Sequence, residues 1–274
     1  MSCLRRHIER IAIVGARGQM GALFVRAFHK AGYVVSTLDR PYRPNGTDET
    51  IAAALCGPEG PADLALLCVP VTAMREVAQM LAPHMPAGAI LCDVCSVKVN
   101  PLAQMLEAYD GPVVGTHPLF GPVIPEGFEP RVAVTPGRET GEVSETGAAG
   151  GAAVKAVSGV FARAGFAPFD STAEEHDRAM AVVQGLNFIT TVAYLAAARQ
   201  TPGIENFRTP SFERRLEAAR KMLTKDRELF QLIAEDNPFL QETVRQFTAY
   251  LDLAAGGDLD LLSARASWWW RETA

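Results

Sequence analysis

The sequence lacks the excess of positive charge that is typical of proteins that bind nucleic acids. Its 274 residues include 26 Lys and Arg against 31 Asp and Glu, which gives a formal net charge of −5. A chain with this balance has no broad positive field to attract a phosphate backbone. We therefore expect no nucleic-acid partner.

The sequence also lacks the usual features of exported and membrane proteins. Its five cysteines are an odd number and lie mostly in or beside apolar segments, unlike a disulfide framework. We find no run of about 18 consecutive apolar residues, and residues 1–10 lack the apolar core of a secretory signal. These absences predict a cytoplasmic protein with no membrane partner.

A metal site is not expected either. Cys92 and Cys95 have the CxxC spacing of redox and zinc sites, but no second pair accompanies them. Residues three apart on a strand point to opposite faces, so we interpret both cysteines as packing residues.

What the sequence does contain, up to residue 171, is an alternation of short β-branched runs with helical patterns. Runs that are apolar on both faces and separated in this way indicate parallel strands joined by crossover helices. The pattern predicts an α/β fold with a doubly wound Rossmann-type sheet. The predicted strands are residues 11–14, 33–38, 64–69, 89–94, 113–116 and 166–170.

From residue 172 onwards the patterns are helical only. A continuous helix is predicted over 173–200, and further helices over 211–223, 225–236 and 238–254. We predict a dinucleotide-binding domain over 1–171 and a helical substrate and dimerisation domain over 172–274. A long Ala-rich helix cannot bury its apolar surface against one small domain, so we expect a homodimer formed through the helical domain. The Gly-, Thr-, Ser- and Glu-rich residues 137–151 are predicted to form a loop.

A glycine-rich turn follows the first predicted strand. Residues 15–21 read GARGQMG, with Ala16 at the first position of the GxGxxG fingerprint. Glycines let the backbone approach a pyrophosphate, and the following helix N-terminus offers free N–H groups. Asp39, at the end of the second strand, would accept hydrogen bonds from ribose hydroxyls and repel a 2′-phosphate, which favours NAD over NADP. The neighbouring Arg40 and Arg43 leave NADP open.

Further strand ends carry polar residues that suggest chemistry. Ligands collect at the carboxyl ends of strands in an open α/β sheet, so Ser96, Lys98 and His117 are expected to meet at the nicotinamide end of the cofactor. A histidine there can accept a proton from a hydroxyl while hydride leaves the same carbon. The residues predicted to contact NAD are Gly15, Arg17, Gly18, Gln19, Met20, Gly21, Asp39, Val69, Pro70 and Lys98.

Four motifs, in this order and spacing, resemble those of prephenate dehydrogenases of the bacterial type that is often fused to chorismate mutase. They are residues 15–21 (GARGQMG), 93–98 (DVCSVK), 115–122 (GTHPLFGP) and 175–177 (EHD). The element HPLFGP is the most specific of them. The nucleotide-binding pattern begins within the first ten residues, so we expect no mutase module here.

The resemblance implies NAD-dependent oxidative decarboxylation of prephenate to 4-hydroxyphenylpyruvate, a step of tyrosine biosynthesis. His117 matches the catalytic histidine that accepts a hydrogen bond from the ring hydroxyl, and Ser96 matches a serine that orients this hydroxyl. Lys221 falls where the family has an arginine for a substrate carboxylate, and Arg220 or Arg214 could take its place. A lysine lacks the bidentate guanidinium fork.

Three alternatives remain open at this point. The lysine at 221 also fits an aminated substrate, arogenate or 4-amino-4-deoxyprephenate. A catalytically silent dinucleotide sensor could keep the fold, although it would not need both Ser96 and His117. The Glu175–His176–Asp177 element fits helix capping or domain contact as well as a role in the site.

Overall fold

The computed structural model describes residues 7–40, 49–139 and 151–270. The chain divides into two compact units, Met1–Asp177 and Arg178–Ala274. The division lies six residues after the boundary predicted from the sequence at 171/172. Arg43 and residues 140–150 of the predicted loop lie outside the described residues.

The first unit contains a seven-stranded sheet with helices on both faces, which confirms the predicted Rossmann-type fold. The strand order is β2-β1-β5-β6-β7-β8-β9, and every neighbouring pair is parallel except β7 with β8. A separate two-stranded hairpin is formed by β3 and β4. The strands are β1 (Arg10–Val14), β2 (Val34–Leu38), β3 (Cys56–Gly57), β4 (Gly60–Pro61), β5 (Leu64–Leu67), β6 (Ile90–Asp93), β7 (Val113–Pro118), β8 (Arg131–Arg138) and β9 (Ala167–Asp170).

The central strands are buried on both faces because helices cover each side of the sheet. In β1, Ile11 and Ile13 belong to the core on one side, whereas Ala12 and Val14 belong to the core on the other. This is why these strands appear in the sequence as continuous apolar runs and not as an alternating pattern. The helices of this unit are α1 (Gln19–Lys30), α2 (Glu49–Leu55), α3 (Met74–Leu81), α4 (Val99–Ala108) and α5 (Ala152–Arg163).

Strand β8 was not predicted from the sequence. It contains Pro136 and Gly137, residues that usually mark a turn or an edge, and the register shifts between Val113 and Val114 where the strand meets β7. The strand forms nevertheless, and its Val132 and Val134 side chains are fully buried. As a result β7 is an interior strand with a partner on each side.

The second unit is helical, as predicted. Helix α6 (Ala173–Met180) begins in the first unit, and the chain continues through a π-helical segment, Ala181–Leu186, into α7 (Asn187–Ala198). Gly185 lies in this segment, where an added Cβ would come within 2.6 Å of Leu240 Cδ1. The other helices are α8 (Pro210–Thr224), α9 (Arg227–Asp236), α10 (Leu240–Ala255) and α11 (Leu259–Ala266), the last of which was not predicted.

Many large apolar side chains of the second unit are exposed. Val182, Val183 and Val192 are 49%, 59% and 39% exposed, and Trp269 and Trp270 are exposed even more fully. The helical stretch Ala173–Ala198 has the length and mean hydropathy of a membrane span, with 28% of its most apolar window buried. The expectation that no segment has this composition is therefore wrong. Helices that pack against another protein chain have the same composition.

Candidate active site

The glycine-rich turn joins β1 to α1 in a conformation that requires glycine. Gly15 has φ +84°, and a Cβ there would lie 2.4 Å from the carbonyl oxygen of Cys68, which follows β5. A Cβ on Gly21 would lie 2.2 Å from the carbonyl oxygen of Gly15. Side chains at either position would push apart the strand end, the turn and the helix.

Asp39 holds the same turn from the end of β2. Its Oδ1 accepts a hydrogen bond of 2.8 Å from the Arg17 backbone N–H, and its Oδ2 lies 4.0 Å from Arg17 Nε. The Arg17 side chain is 85% exposed. Val69 is close by, because its Cγ1 lies 3.4 Å from the point where a Gly15 Cβ would be.

These residues fit the diphosphate and ribose of a dinucleotide. Gly18 caps α1, so the first backbone N–H groups of the helix, from Gln19, Met20 and Gly21, have no partner within it. Such N–H groups and the positive end of the helix dipole bind phosphate. Pro70 is exposed and follows β5. Apart from Lys98, the residues predicted to contact the cofactor all lie in the glycine-rich turn or at a strand end beside it.

His117 lies in β7, and Ser96 follows the neighbouring strand β6. His117 lies near the carboxyl end of β7, paired with Ala133 of β8, and is 3% exposed. Ser96 lies half-buried between β6 and α4. Burial, the nearby His176 and the positive charge of Lys98 hold the pKa of His117 well below its ordinary value of 6.5. The imidazole is therefore neutral at physiological pH and able to accept a hydrogen bond.

A chain of hydrogen bonds connects His117 to a buried carboxylate. His117 Nδ1 lies 2.9 Å from His176 Nε2, and His176 Nδ1 lies 2.7 Å from Asp177 Oδ1. Burial lowers the pKa of His176, and the hydrogen bond to Asp177 partly opposes this effect. The Glu175–His176–Asp177 element, left open by sequence reasoning, thus contributes two residues to the surroundings of His117.

A capping box fixes the start of α6 and so the position of this pair. The Glu175 N–H donates to Thr172 Oγ1, and Glu175 Oε2 accepts from the Thr172 N–H. Glu175 therefore caps the helix, whereas the next two side chains are buried. The spacing Thr-x-x-Glu is a readable signal for this helix start, but the sequence gives no sign that His176 reaches His117 across 59 residues.

Asp177 also binds the N-terminus of α4. Its Oδ1 accepts 2.7 Å from the Lys98 N–H, and its Oδ2 accepts 2.8 Å from the Val99 N–H. A carboxylate at this position satisfies helix amides and interacts favourably with the helix dipole. The same carboxylate therefore holds both His176 and the segment that leads from Ser96 into α4.

The Lys98 side chain is part of the protein interior. It is fully buried, and its ammonium group donates to Asp93 Oδ2 and, at 2.6 Å, to the Thr116 carbonyl oxygen. Gly115 leaves room for it, because a Cβ there would lie 3.2 Å from Lys98 Cδ. The ammonium group is enclosed and already has two acceptors, so the structure places the Lys98 side chain in the interior, and its contact with the cofactor stays a prediction.

The residues predicted to bind a substrate carboxylate lie in the second unit, on α8. Lys221 is exposed and its Nζ lies 3.4 Å from Asp226 Oδ2, while Arg220 pairs at 3.7 Å with Glu217. Arg214 is also exposed. The helix thus presents several cations, and the structure does not single out one of them.

Among the residues that the structure describes, no group of three His, Cys, Asp or Glu side chains is arranged to hold a metal ion. Cys92 and Cys95 are buried free thiols. Cys92 contacts the Thr116 hydroxyl at 3.9 Å, and Cys95 contacts the Val69 carbonyl oxygen at 3.8 Å. Both cysteines therefore pack beside the site, as predicted.

Comparison with known proteins gives a consistent result. Residues 48–142 match the family described as prephenate dehydrogenase, nucleotide-binding domain. The chain is 30% identical, over 249 residues, to the T-protein of Haemophilus influenzae, and this alignment covers 87% of the chain and 60% of the relative. Together these matches support the prephenate dehydrogenase family for this chain. The matched region supports NAD as the cofactor, although it begins after the glycine-rich turn.

Solved structures of the family share the fold of this chain. One is a prephenate dehydrogenase from Aquifex aeolicus in complex with hydroxyphenyl propionate and NAD⁺, with a TM-score of 0.71, 20% identity and 95% coverage of both chains. Another is the arogenate dehydrogenase of Synechocystis, with a TM-score of 0.70, 19% identity and coverage of 94% and 96%. The chain spans about half the length of the curated relatives that it matches over most of its own length.

The buried Lys98–Asp93 pair should be important for stability. In Lys98→Met the Asp93 carboxylate stays buried without its cation, which we expect to lower the free energy of unfolding by about 3–5 kcal/mol. The matched control is Arg75→Met, which removes the cation of a pair with Glu107 whose side chains are 52% and 58% exposed. In the control, the free energy of unfolding measured in urea should fall by less than about 1 kcal/mol. Equal losses in the two variants would contradict this role of Lys98.

Proposed function

We propose that this protein catalyses the NAD-dependent oxidative decarboxylation of prephenate to 4-hydroxyphenylpyruvate, the dehydrogenase step towards tyrosine. The observation that carries the proposal is His117, a buried and neutral histidine at the carboxyl end of β7, in a chain that matches the prephenate dehydrogenase family. Ser96 lies after the neighbouring strand. The glycine-rich turn and Asp39 support a dinucleotide cofactor at the same edge of the sheet.

Bound NAD⁺ supplies the acceptor for the hydride that leaves the ring carbon bearing the hydroxyl. The ring carboxylate departs as CO₂, and the electrons of the broken C–C bond complete the aromatic ring. The hydroxyl proton stays in the phenolic product, so His117 does not have to remove it permanently. His117 instead accepts a hydrogen bond from the hydroxyl and stabilises the positive charge that develops there as hydride departs.

The aminated substrates are a second candidate class. Lys221, Arg220 and Arg214 offer cations on α8 but no buried bidentate partner for a carboxylate. Relatives with similar sequences are described as an arogenate/prephenate dehydrogenase and as a 4-amino-4-deoxyprephenate dehydrogenase. We favour prephenate because it is the substrate implied by the four motifs.

Steady-state assays with prephenate, arogenate and 4-amino-4-deoxyprephenate, each with NAD⁺ and NADP⁺, test the proposal. We expect the highest kcat/KM with prephenate and NAD⁺. Higher kcat/KM with an aminated compound would move the assignment to that substrate. Oxidation of none of the three, together with measurable NAD⁺ binding, would favour a dinucleotide sensor without activity.

The role of His117 predicts a separation between turnover and cofactor binding. His117→Asn should lower kcat at least about a hundredfold, because the acceptor for the hydroxyl is lost, and should leave the Kd of NAD⁺ nearly unchanged. Since the pKa of His117 lies well below 6.5, protonation inactivates the wild-type enzyme only at lower pH. The acid limb of its kcat/KM profile should therefore lie below pH 6.5. Equal losses of kcat and of NAD⁺ affinity would reassign His117 to structure.

Asp39 should control the choice between NAD and NADP. In Asp39→Asn the Arg17 N–H keeps an acceptor, but the negative charge that repels a 2′-phosphate is removed. We expect the ratio of kcat/KM for NAD⁺ to that for NADP⁺ to fall about tenfold or more. Asp39→Ala should show the same fall together with weaker binding of both cofactors, because the turn loses its acceptor. An unchanged ratio in both variants would remove Asp39 from the adenosine site.

We also propose a cytoplasmic homodimer formed through the helical unit, supported by the exposed apolar side chains of the π-helical segment and α7. Light scattering after size exclusion should give twice the chain mass of 29.5 kDa. Val183→Glu should shift the protein towards monomer, whereas Val123→Glu, at an 83% exposed position of the first unit, should not. A wild-type monomer, or a protein extracted only with detergent, would contradict the proposal.

A further inference from the structure

The hydrogen bonds around His117 determine which of its ring nitrogens carries the proton. Asp177 is held by donors on every side: the Lys98 N–H and the ring nitrogen of His176 at Oδ1, and the Val99 N–H at Oδ2. Backbone N–H donors face both oxygens of Asp177, so the carboxylate acts as an acceptor in this chain of hydrogen bonds. The His176 Nδ1 that faces it must therefore carry a proton.

The next bond in the chain follows from this assignment. A neutral imidazole has one N–H and one bare nitrogen. With its proton on Nδ1, His176 has a bare Nε2, and this atom faces His117 Nδ1 at 2.9 Å. Two bare nitrogens would repel each other, so His117 must carry its proton on Nδ1. Its Nε2 is then a bare acceptor, and no described residue donates to it.

We propose that His176 and Asp177 are positioning residues, which set His117 in the tautomer that presents a bare Nε2 to the substrate hydroxyl. The inference rests on the proposed function and deepens it. Without the pair, the buried Nδ1–H of His117 would have no acceptor, and the opposite tautomer would be favoured. That tautomer places a donor where the reaction needs an acceptor, the defect that carboxylate–histidine pairs prevent in other enzymes.

The same chain of bonds can spread the charge that develops during hydride transfer. When the substrate hydroxyl shares its proton with His117 Nε2, the proton on His117 Nδ1 can move towards His176 Nε2. Positive charge then shifts towards the Asp177 carboxylate. The reverse shift returns the proton to the phenolic product, so no proton is gained or lost. The groups that face His117 favour this direction, since Lys98 is a buried cation and Asp93 is paired with it.

Imidazole nitrogen NMR of the wild-type protein tests the tautomer directly and without turnover. We expect the His117 proton on Nδ1 and a bare Nε2, and the His176 proton on Nδ1. A His117 proton on Nε2 would overturn the proposal even if the enzyme oxidises prephenate. If no substrate is oxidised, only the proposed function fails, and the spectrum still decides the tautomer.

Substitution at His176 tests the consequence for catalysis. His176→Leu removes the acceptor, and we expect kcat to fall about a hundredfold with little change in the Kd of NAD⁺. In His176→Gln the amide oxygen replaces the Nε2 acceptor, so kcat should recover to within about tenfold of wild type. His29→Leu, at an exposed position of α1, is the control and should retain wild-type activity.

The pH profile separates positioning from a general structural role. His176 is one of the groups that lower the pKa of His117, and the neutral Gln side chain removes this effect while burial and Lys98 remain. The acid limb of kcat/KM should therefore move to higher pH in His176→Gln. An unmoved limb, or equal damage in the Leu and Gln variants with both folded, would overturn the proposal.

Discussion

The carboxylate of Asp177 is the interaction on which the candidate site depends. It accepts hydrogen bonds from the α4 N-terminus and from His176, and these donors come from parts of the chain that are distant in sequence. One buried anion therefore connects the segment after β6 to His176, whose ring contacts His117 in β7. Because burying a carboxylate is costly unless donors surround it, the hydrogen bonds that satisfy Asp177 also fix the geometry around His117.

Asp93 is a second buried carboxylate whose hydrogen bonds stabilise the same region. Asp93 ends β6, and its carboxylate accepts from the Cys95 N–H at 2.8 Å and the Thr116 N–H at 3.2 Å as well as from the Lys98 ammonium group. Lys98 therefore contributes to both networks, through its side chain to Asp93 and through its backbone N–H to Asp177. These side-chain hydrogen bonds connect β6 and β7 next to His117, in addition to the backbone hydrogen bonds between the two strands.

Most of the fold could be predicted because it follows from local patterns: apolar runs buried on both faces, a glycine-rich turn after β1, and helical periodicity beyond β9. Strand β8 was not predicted because Pro136 and Gly137 are residues typical of loops. Its pairing with β7 is a long-range contact, which local sequence patterns do not report. Ser96 and His117 could be placed at strand ends by the same rules. The inward direction of Lys98 and the contact between His117 and His176 depend on tertiary packing, which no local pattern reports.

The hydrogen bond between the Arg17 N–H and Asp39 has a further consequence for how a dinucleotide would be received. The loop after β1 already has its shape, since Gly15 and Gly21 fill positions where no side chain fits and a carboxylate from the next strand anchors its backbone. An arriving nucleotide would not have to order this loop, so little conformational entropy would be lost there on binding. The affinity of this loop for a nucleotide would then depend on the contacts and charges that the loop offers.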